Sequence, residues 1–337
     1  MTDIVVFGSG AWGAALASAW ARNGLDVMLW AYPEGAGIEL DRTRSHPRLP
    51  GGRLPESLKI VAGFKDDFRA ELWASALPTQ ISPAAWEEMI GKTTARPRHF
   101  IHVSKGILPT SNGAPGSLGT LSGALGPLLG LPVGALSGPT FADEVFGQKP
   151  SAIVLALPQP IPQEEAVRLQ AMLATPRLRV YLSRDVLGVE LCGALKNILA
   201  IAGGLLDSLG LGLNARAAML TRGLAEMARL VEKLGGQPET VMGLAGMGDL
   251  LLTATGPQSR NRTFGELLGR GSTPAEAFAS MGEQVVEGAH TAKAALELAK
   301  AAGIDMPIAQ EVVRLLDGED PKAAVDNLMG RSLKVEW

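Results

Sequence analysis

The chain has 337 residues, 46% of them apolar and 19% charged, which suits two globular domains better than one core. Its 31 basic and 34 acidic residues leave a net charge of −3, so no basic excess is available to hold a polyanion and nucleic acid is excluded as an expected partner. The single cysteine, Cys192, excludes an internal disulfide and fits a reducing cytoplasm.

The N-terminal MTDIVVFGSG has no basic segment leading into an apolar stretch and a cleavage site, so no secretory signal is expected. Unbroken apolar runs such as AIVLALP and NILAIAGGLL are shorter than the roughly 20 residues of a membrane span. The four histidines, His46, His99, His102 and His290, lack metal-ligand spacing, and no metal site is expected. His99 and His102, on either side of a strand-like run, read as structural.

In chain order, eight runs read as strands: DIVVFG, DVMLW, LKIV, ELWASAL, RHFIHV, VGAL, SAIVLAL and RVYL. Helical stretches lie between several of them, over 11–24, 82–91, 117–126 and 162–174. Polar, Pro/Gly-rich 42–56 reads as a loop beside the second strand. Alternation of this kind predicts an α/β fold, a mainly parallel, Rossmann-like sheet covered on both faces. From Asp185 onward the pattern holds only helices, with caps expected at Asn214, Ser259 and Thr273. The expected domains are therefore 1–184, α/β, and 185–337, all-helical.

GSGAWG sets Gly8, Gly10 and Gly13 in G-x-G-x-x-G spacing directly after the first strand and at the opening of a helix. The glycines allow a tight turn, close approach of a pyrophosphate, and packing of helix on strand, while the helix N-terminus offers free N–H groups to phosphate. A nicotinamide dinucleotide, NAD or NADP, is the expected cofactor. After the second strand come Ala31 and Tyr32, then Glu34, Arg42 and Arg44, so candidates for a ribose hydroxyl and for a 2'-phosphate are both present.

The helical run GALKNILAIAGG carries one lysine, Lys196, in apolar and glycine-rich surroundings. A buried lysine needs an acid or a task. Asp249, equally isolated in GLAGMGDLLLTAT, is the matching carboxylate. A dehydrogenase acting on a ketone needs a group that protonates the developing alkoxide and takes the proton back in reverse, and a lysine paired with a carboxylate can serve. In SRNR, Ser259 reads as an N-cap with Arg260, Asn261 and Arg262 in the first helical turn. Basic side chains oppose the helix dipole there unless an anion faces them. Lys105 follows a strand at the carboxyl end of the sheet, where α/β ligands bind. Lys105, Lys196 and Arg260 against one aspartate point to an anionic substrate, and a small phosphorylated ketone fits.

With these residues in place, the chain resembles the bacterial NAD(P)-dependent sn-glycerol-3-phosphate dehydrogenase family. The motifs GSGAWG, LPGGRLPESL, VSKGI, LSGPTFADEV, GALKNILAIAGG, GLAGMGDLLLT, SRNR, QVVEGAHTA and MPI follow one another almost end to end. The resemblance implies interconversion of dihydroxyacetone phosphate and glycerol 3-phosphate, with Lys196 as proton donor and acceptor. It assigns substrate contacts to Lys105, Gly138, Thr140, Lys196, Asp249, Ser259, Arg260 and Asn261. It assigns the cofactor to Gly8, Ser9, Gly10, Ala11, Trp12 and Gly13, with Lys105, Ala142, Arg260, Val285 and Glu287. It also implies a homodimer that supplies glycerol 3-phosphate for phospholipid synthesis, with the helical domain closing over the substrate.

Several residues depart from the family pattern. Ser9 and Ala11 stand where GAGSWG is usual, Tyr32 where many members carry arginine, and ALPTQ for AVPSQ. SGPT replaces SGPS, and Thr140 is expected to N-cap the helix FADEVFG. The rival readings are a related β-hydroxyacid or 6-phosphogluconate-type dehydrogenase and a non-catalytic NAD(H)-binding regulator.

Overall fold

A computed structural model describes residues 2–64, 68–109, 119–282, 285–333 and 335. The chain divides into two compact units, one of Met1–Lys105 with Gly113–Glu190, the other of Gly106–Asn112 with Leu191–Trp337.

The first unit is built on an eight-stranded sheet: β1 (Thr2–Phe7), β2 (Val27–Ala31), β3 (Lys59–Ala62), β4 (Ala70–Ser75), β5 (His99–His102), β6 (Val133–Ser137), β7 (Ser151–Ala156) and β8 (Leu178–Ser183). Their order is β3-β2-β1-β4-β5-β6-β7-β8. All pairs are parallel except β6 with β7, so the mainly parallel reading is met with one reversal near an edge. Every strand expected from the sequence is present. In β1, Ile4 to Phe7 are all buried, as a strand covered on both faces requires. Val6 joins Ala14, Leu16 and Trp20 of α1 (Ala11–Arg22) in the core of one face. Phe7 faces the other way, its ring 4.8 Å from that of Trp86 in α3 (Ser82–Lys92).

Three further helices complete the unit as expected or nearly so: α4 (Leu121–Leu129), α5 (Ala142–Phe146) and α6 (Gln163–Leu173). Ser117 and Leu118 of the expected helix over 117–126 lie outside the described residues. One helix was not expected. α2 (Glu34–Thr43) occupies EGAGIELDRT and takes Arg42 and Thr43 from the expected loop. Only Gly37 and Leu40 of α2 are buried, so it carries no apolar stripe to announce it.

The second unit contains no strand among its described residues. Its helices are most of α7 (Val186–Ser208), then α8 (Gly212–Lys233), α9 (Pro238–Met242), α10 (Asp249–Thr255), α11 (Arg260–Gly269), α12 (Pro274–Met281), α13 (Glu287–Ala302), α14 (Pro307–Leu316) and α15 (Pro321–Met329). Ser259 and Thr273 cap α11 and α12 through their side chains. Asn214 does not cap: α8 begins two residues earlier, after Leu211, and Asn214 lies in its first turn. α7 is long and apolar enough to cross a membrane by length and composition, which the short unbroken runs had hidden, yet 94% of its most apolar window is buried inside the protein. Glycines let α11 pack tightly on α7. A Cβ on Gly204 would lie 1.9 Å from the Arg262 carbonyl, and one on Gly265 2.0 Å from the Ile201 carbonyl.

Candidate functional site

At the carboxyl end of β1 the three glycines have three different physical roles. Gly8 has φ +113, and a Cβ there would meet the Ala76 carbonyl at 2.9 Å. A Cβ on Gly13 would lie 2.1 Å from the Gly8 carbonyl, so this glycine sets the contact of α1 with the loop. Gly10 caps α1 with φ −62 and ψ 166, a conformation any residue adopts, and no backbone crowds its absent Cβ. Its small size leaves room for something outside the chain. Ala11 and Trp12 open α1 beside it, partly buried, and the Trp12 indole Nε1 has no hydrogen-bond acceptor among the described residues. An open cradle at a helix N-terminus is what a pyrophosphate requires, and the loop fits a dinucleotide.

The parallel order β1-β4-β5-β6 lines up further expected residues along the same sheet edge. Lys105, three residues past β5, donates from Nζ to the Gly138 carbonyl at 3.1 Å. Thr140 also donates to that carbonyl, at 3.2 Å. It is not an N-cap: α5 starts after Phe141 with no side-chain cap, because the Thr140 hydroxyl is turned back onto Gly138. Ala142 is the first residue of α5, which packs against α1.

The residues bearing on cofactor choice are distributed unevenly. Tyr32 is 72% exposed and stacks on Trp30 at the end of β2. Glu34 lies past the strand as the first residue of α2. Arg42 and Arg44 pair with Glu39 and Asp41 on the same helix. His99 and His102 are structural, held by Glu165 at 2.5 Å and Glu190 at 3.0 Å. Glu71 and Glu165, which approach His99, are themselves ion-paired with Arg168.

In the helical unit, Lys196 is 5% and Asp249 1% exposed. Lys196 Nζ donates to Asp249 Oδ1 at 2.7 Å and to Thr253 Oγ1 at 2.6 Å. Thr253 in turn donates to Asp249 Oδ1 at 3.2 Å. Asp249 and Thr253 are one helical turn apart on α10 and so present one face to α7. Asp249 begins α10, and its carboxylate accepts from the lysine. The sequence reading missed Thr253, whose only signal was its i+4 spacing from Asp249.

It also missed Asn197. Asn197 donates to the Gly193 carbonyl at 3.3 Å, and its Oδ1 accepts from Asn261 Nδ2 at 2.9 Å. Asn261 Oδ1 accepts from the Gly288 N–H at 2.9 Å, tying the start of α13 to the start of α11. Val285 precedes α13 and Glu287 opens it, both partly buried, while Gln284 of QVVEGAHTA lies outside the described residues. Within SRNR, Ser259 Oγ accepts from the Arg262 N–H, and the Arg262 guanidinium grips Asp207 at 2.9 and 3.0 Å. Arg260 is the exposed member. Lys196, Asp249 and Thr253 thus form one group, and Asn197, Asn261 and Gly288 a second, from adjacent residues of α7.

A glycine loop opening the first helix of a sheet with the order β3-β2-β1-β4-β5-β6, joined in sequence to a helical unit with a buried lysine–aspartate pair, defines a dinucleotide-dependent oxidoreductase of two-unit build. Residues 3–161 match the N-terminal model of the NAD-dependent glycerol-3-phosphate dehydrogenase family and residues 185–326 the C-terminal one. The chain belongs to that family. It is 42% identical to the glycerol-3-phosphate dehydrogenase [NAD(P)+] of Erythrobacter litoralis, over 99% of this chain and 98% of the relative. The corresponding protein of Variovorax paradoxus is 44% identical over 97% of each. The crystal structure of glycerol-3-phosphate dehydrogenase from Coxiella burnetii superposes with a TM-score of 0.89, at 39% identity over 98% of this chain and 99% of that one.

Proposed function

We propose that the chain catalyses the reversible reduction of dihydroxyacetone phosphate to sn-glycerol 3-phosphate with NAD(H) or NADP(H). The observation that carries this reading is the Lys196 ammonium, buried in an apolar helix and held by Asp249 and Thr253. Residues 1–184 make most of the dinucleotide contacts, and residues 185–337 supply the acid and most of the substrate contacts.

A dinucleotide held by its pyrophosphate at the Gly8–Gly13 loop would supply hydride to C2 from its nicotinamide, or accept it in reverse. Lys196 gives a proton to the C2 oxygen as charge develops there and recovers it from the hydroxyl in the opposite direction. Asp249 balances the ammonium, and Thr253 fixes its direction by accepting from Nζ and donating to Asp249. Lys105 and Arg260 provide positive charge for the phosphate, with Gly138, Thr140, Ser259 and Asn261 shaping the substrate site. Arg260 suits the phosphate because it is exposed at the start of α11, where the helix dipole adds to its charge. Lys105, Ala142, Arg260, Val285 and Glu287 complete the cofactor contacts.

The protein works in the cytoplasm as a homodimer and supplies the three-carbon phosphate backbone for phospholipid synthesis. A single buried cysteine supports the compartment. The test is a substrate panel with both cofactors. Turnover is expected with dihydroxyacetone phosphate, and turnover with 3-hydroxyacids or 6-phosphogluconate in its place would refute the reading.

A further inference from the structure

The second arginine of SRNR has a task separate from that of Arg260. Arg262 lies in the first turn of α11, where a cation opposes the helix dipole. Asp207 lies in the last turn of α7, where an anion opposes the dipole in the same way. Each misfit resolves the other. Arg262 Nε and Nη2 both donate to Asp207 Oδ2, at 3.0 and 2.9 Å. The second carboxylate oxygen, Oδ1, lies 3.1 Å from Nη1 of Arg216 on α8. Arg216 Nη2 in turn donates to the Ala254 carbonyl at 2.8 Å, one residue past Thr253 in the last turn of α10. None of the three charged side chains is more than 20% exposed, so solvent screens this network less than an ordinary surface ion pair.

The turn that Asp207 holds is the one that carries Arg260 and Asn261. Asn261 ties it to Asn197 of α7 and to Gly288 of α13, and the Arg262 carbonyl is packed against Gly204. The guanidinium of Arg262 has two acidic partners. Glu266, one turn further along α11, approaches Nη2 at 2.7 Å. That pair lies within one helix and cannot orient it against its neighbours. Asp207 belongs to α7, so its bond does orient α11. Without the Asp207 charge, Arg262 would keep Glu266 on its own helix and lose its grip on α7.

We propose that Asp207 is a positioning residue for the substrate phosphate: by gripping Arg262, with Arg216 braced behind it on α10, it sets the orientation in which α11 presents Arg260 and Asn261. Arg262 is then a tether and not a phosphate ligand. This rests on the reading of Arg260 and Asn261 as phosphate contacts. A misaligned turn would still leave Lys196, Asp249 and Thr253 in place, so the cost falls on binding of the substrate more than on the chemical step.

The test is steady-state kinetics with dihydroxyacetone phosphate at saturating NADH, with inorganic phosphate as competitor and a melting curve for every variant of the full chain. Asp207→Asn keeps the size and removes the charge. It is expected to raise KM and the phosphate Ki together by about tenfold, with kcat within about threefold of the parent. Arg262→Met should match it, Arg262→Lys should fall between, and the double variant should be no worse than either single change, because the two residues form one pair. A lowered melting temperature with parental KM and Ki in folded Asp207→Asn would mean a role in stability alone and would overturn the proposal. A double variant clearly worse than Asp207→Asn would also overturn it, by making Arg262 a ligand in its own right. If Asp207→Asn fails to fold, Arg262→Met and Arg216→Met read the same shift, and parental KM in both would be fatal. Arg260→Met is the control. Parental KM and Ki there would refute the phosphate reading and the proposal with it, whereas a loss at Arg260 with none at Asp207 or Arg262 would overturn the proposal alone.

Discussion

Lys196 and Asp249, 53 positions apart in the chain, meet with 2.7 Å between Nζ and Oδ1 and are 5% and 1% exposed. Two charges removed from water in this way are weak contributors to stability as a pair and costly to separate. Asp249→Asn takes the carboxylate from a buried ammonium and is expected to destabilise the fold by about 3–5 kcal/mol while reducing kcat. The double change Lys196→Met with Asp249→Leu should return the melting temperature close to that of the parent with no recovery of turnover. Melting curves beside kcat measurements separate the two effects, and a double variant as unstable as Asp249→Asn would contradict this assignment of the cost.

Thr253 completes the lysine's surroundings. Thr253→Val deletes the hydroxyl that accepts from Nζ at 2.6 Å and is expected to lower kcat by about tenfold, the usual scale for one hydrogen bond to a charged group. Thr253→Ser should stay near the parent. A loss in Thr253→Ser as large as that in Thr253→Val would contradict the hydroxyl as the source of the effect.

The glycines divide by what their missing Cβ avoids. Gly204→Ala and Gly13→Ala drive a methyl group against backbone oxygens 1.9 and 2.1 Å away and should destabilise by at least about 1–3 kcal/mol. Gly10→Ala should melt with the parent and lose cofactor affinity. Chemical denaturation of the three variants, followed by NADH titration of those that fold, checks this ordering.

Glu226 gives the stability a defined pH dependence. Its carboxylate accepts from the Ile308 N–H at 2.9 and 3.2 Å at the start of α14, yet burial pushes its pKa up to about 7. Between the ordinary value of 4.5 and about 7 the folded state binds the proton that the unfolded state has released. Its contribution is therefore complete below that window and lost as pH rises through it, by about 3 kcal/mol in all. His46 has the opposite sign: its lowered pKa makes stability fall as pH drops below the ordinary 6.5. Denaturation between pH 5 and 8 should lose the first slope in Glu226→Gln and the second in His46→Gln.

Much of this was legible in the residues, for physical reasons. Buried parallel strands cannot alternate with polar residues, so DIVVF and SAIVLAL stand out as apolar runs. Lys196 and Asp249 stand out because each is the lone charge of an apolar, glycine-rich segment. α2 was not anticipated, since its buried residues are few, Gly37 and Leu40. Thr253 and Asn197 are common helix residues whose meaning lies in what they touch, one turn from Asp249 and beside Lys196. Thr140 and Asn214 were misread as caps because a side chain that can cap is equally able to bond elsewhere or sit within a first turn.

The central claim is that Lys196 moves the proton. The direct test is steady-state oxidation of NADH and NADPH by dihydroxyacetone phosphate for the parent and for Lys196→Ala, with the NADH dissociation constant measured on both proteins. The parent is expected to turn over rapidly, with kcat lower by about 10²–10⁴ in the variant and NADH binding unchanged. A variant whose kcat stayed within a few-fold of the parent would show that the proton comes from elsewhere.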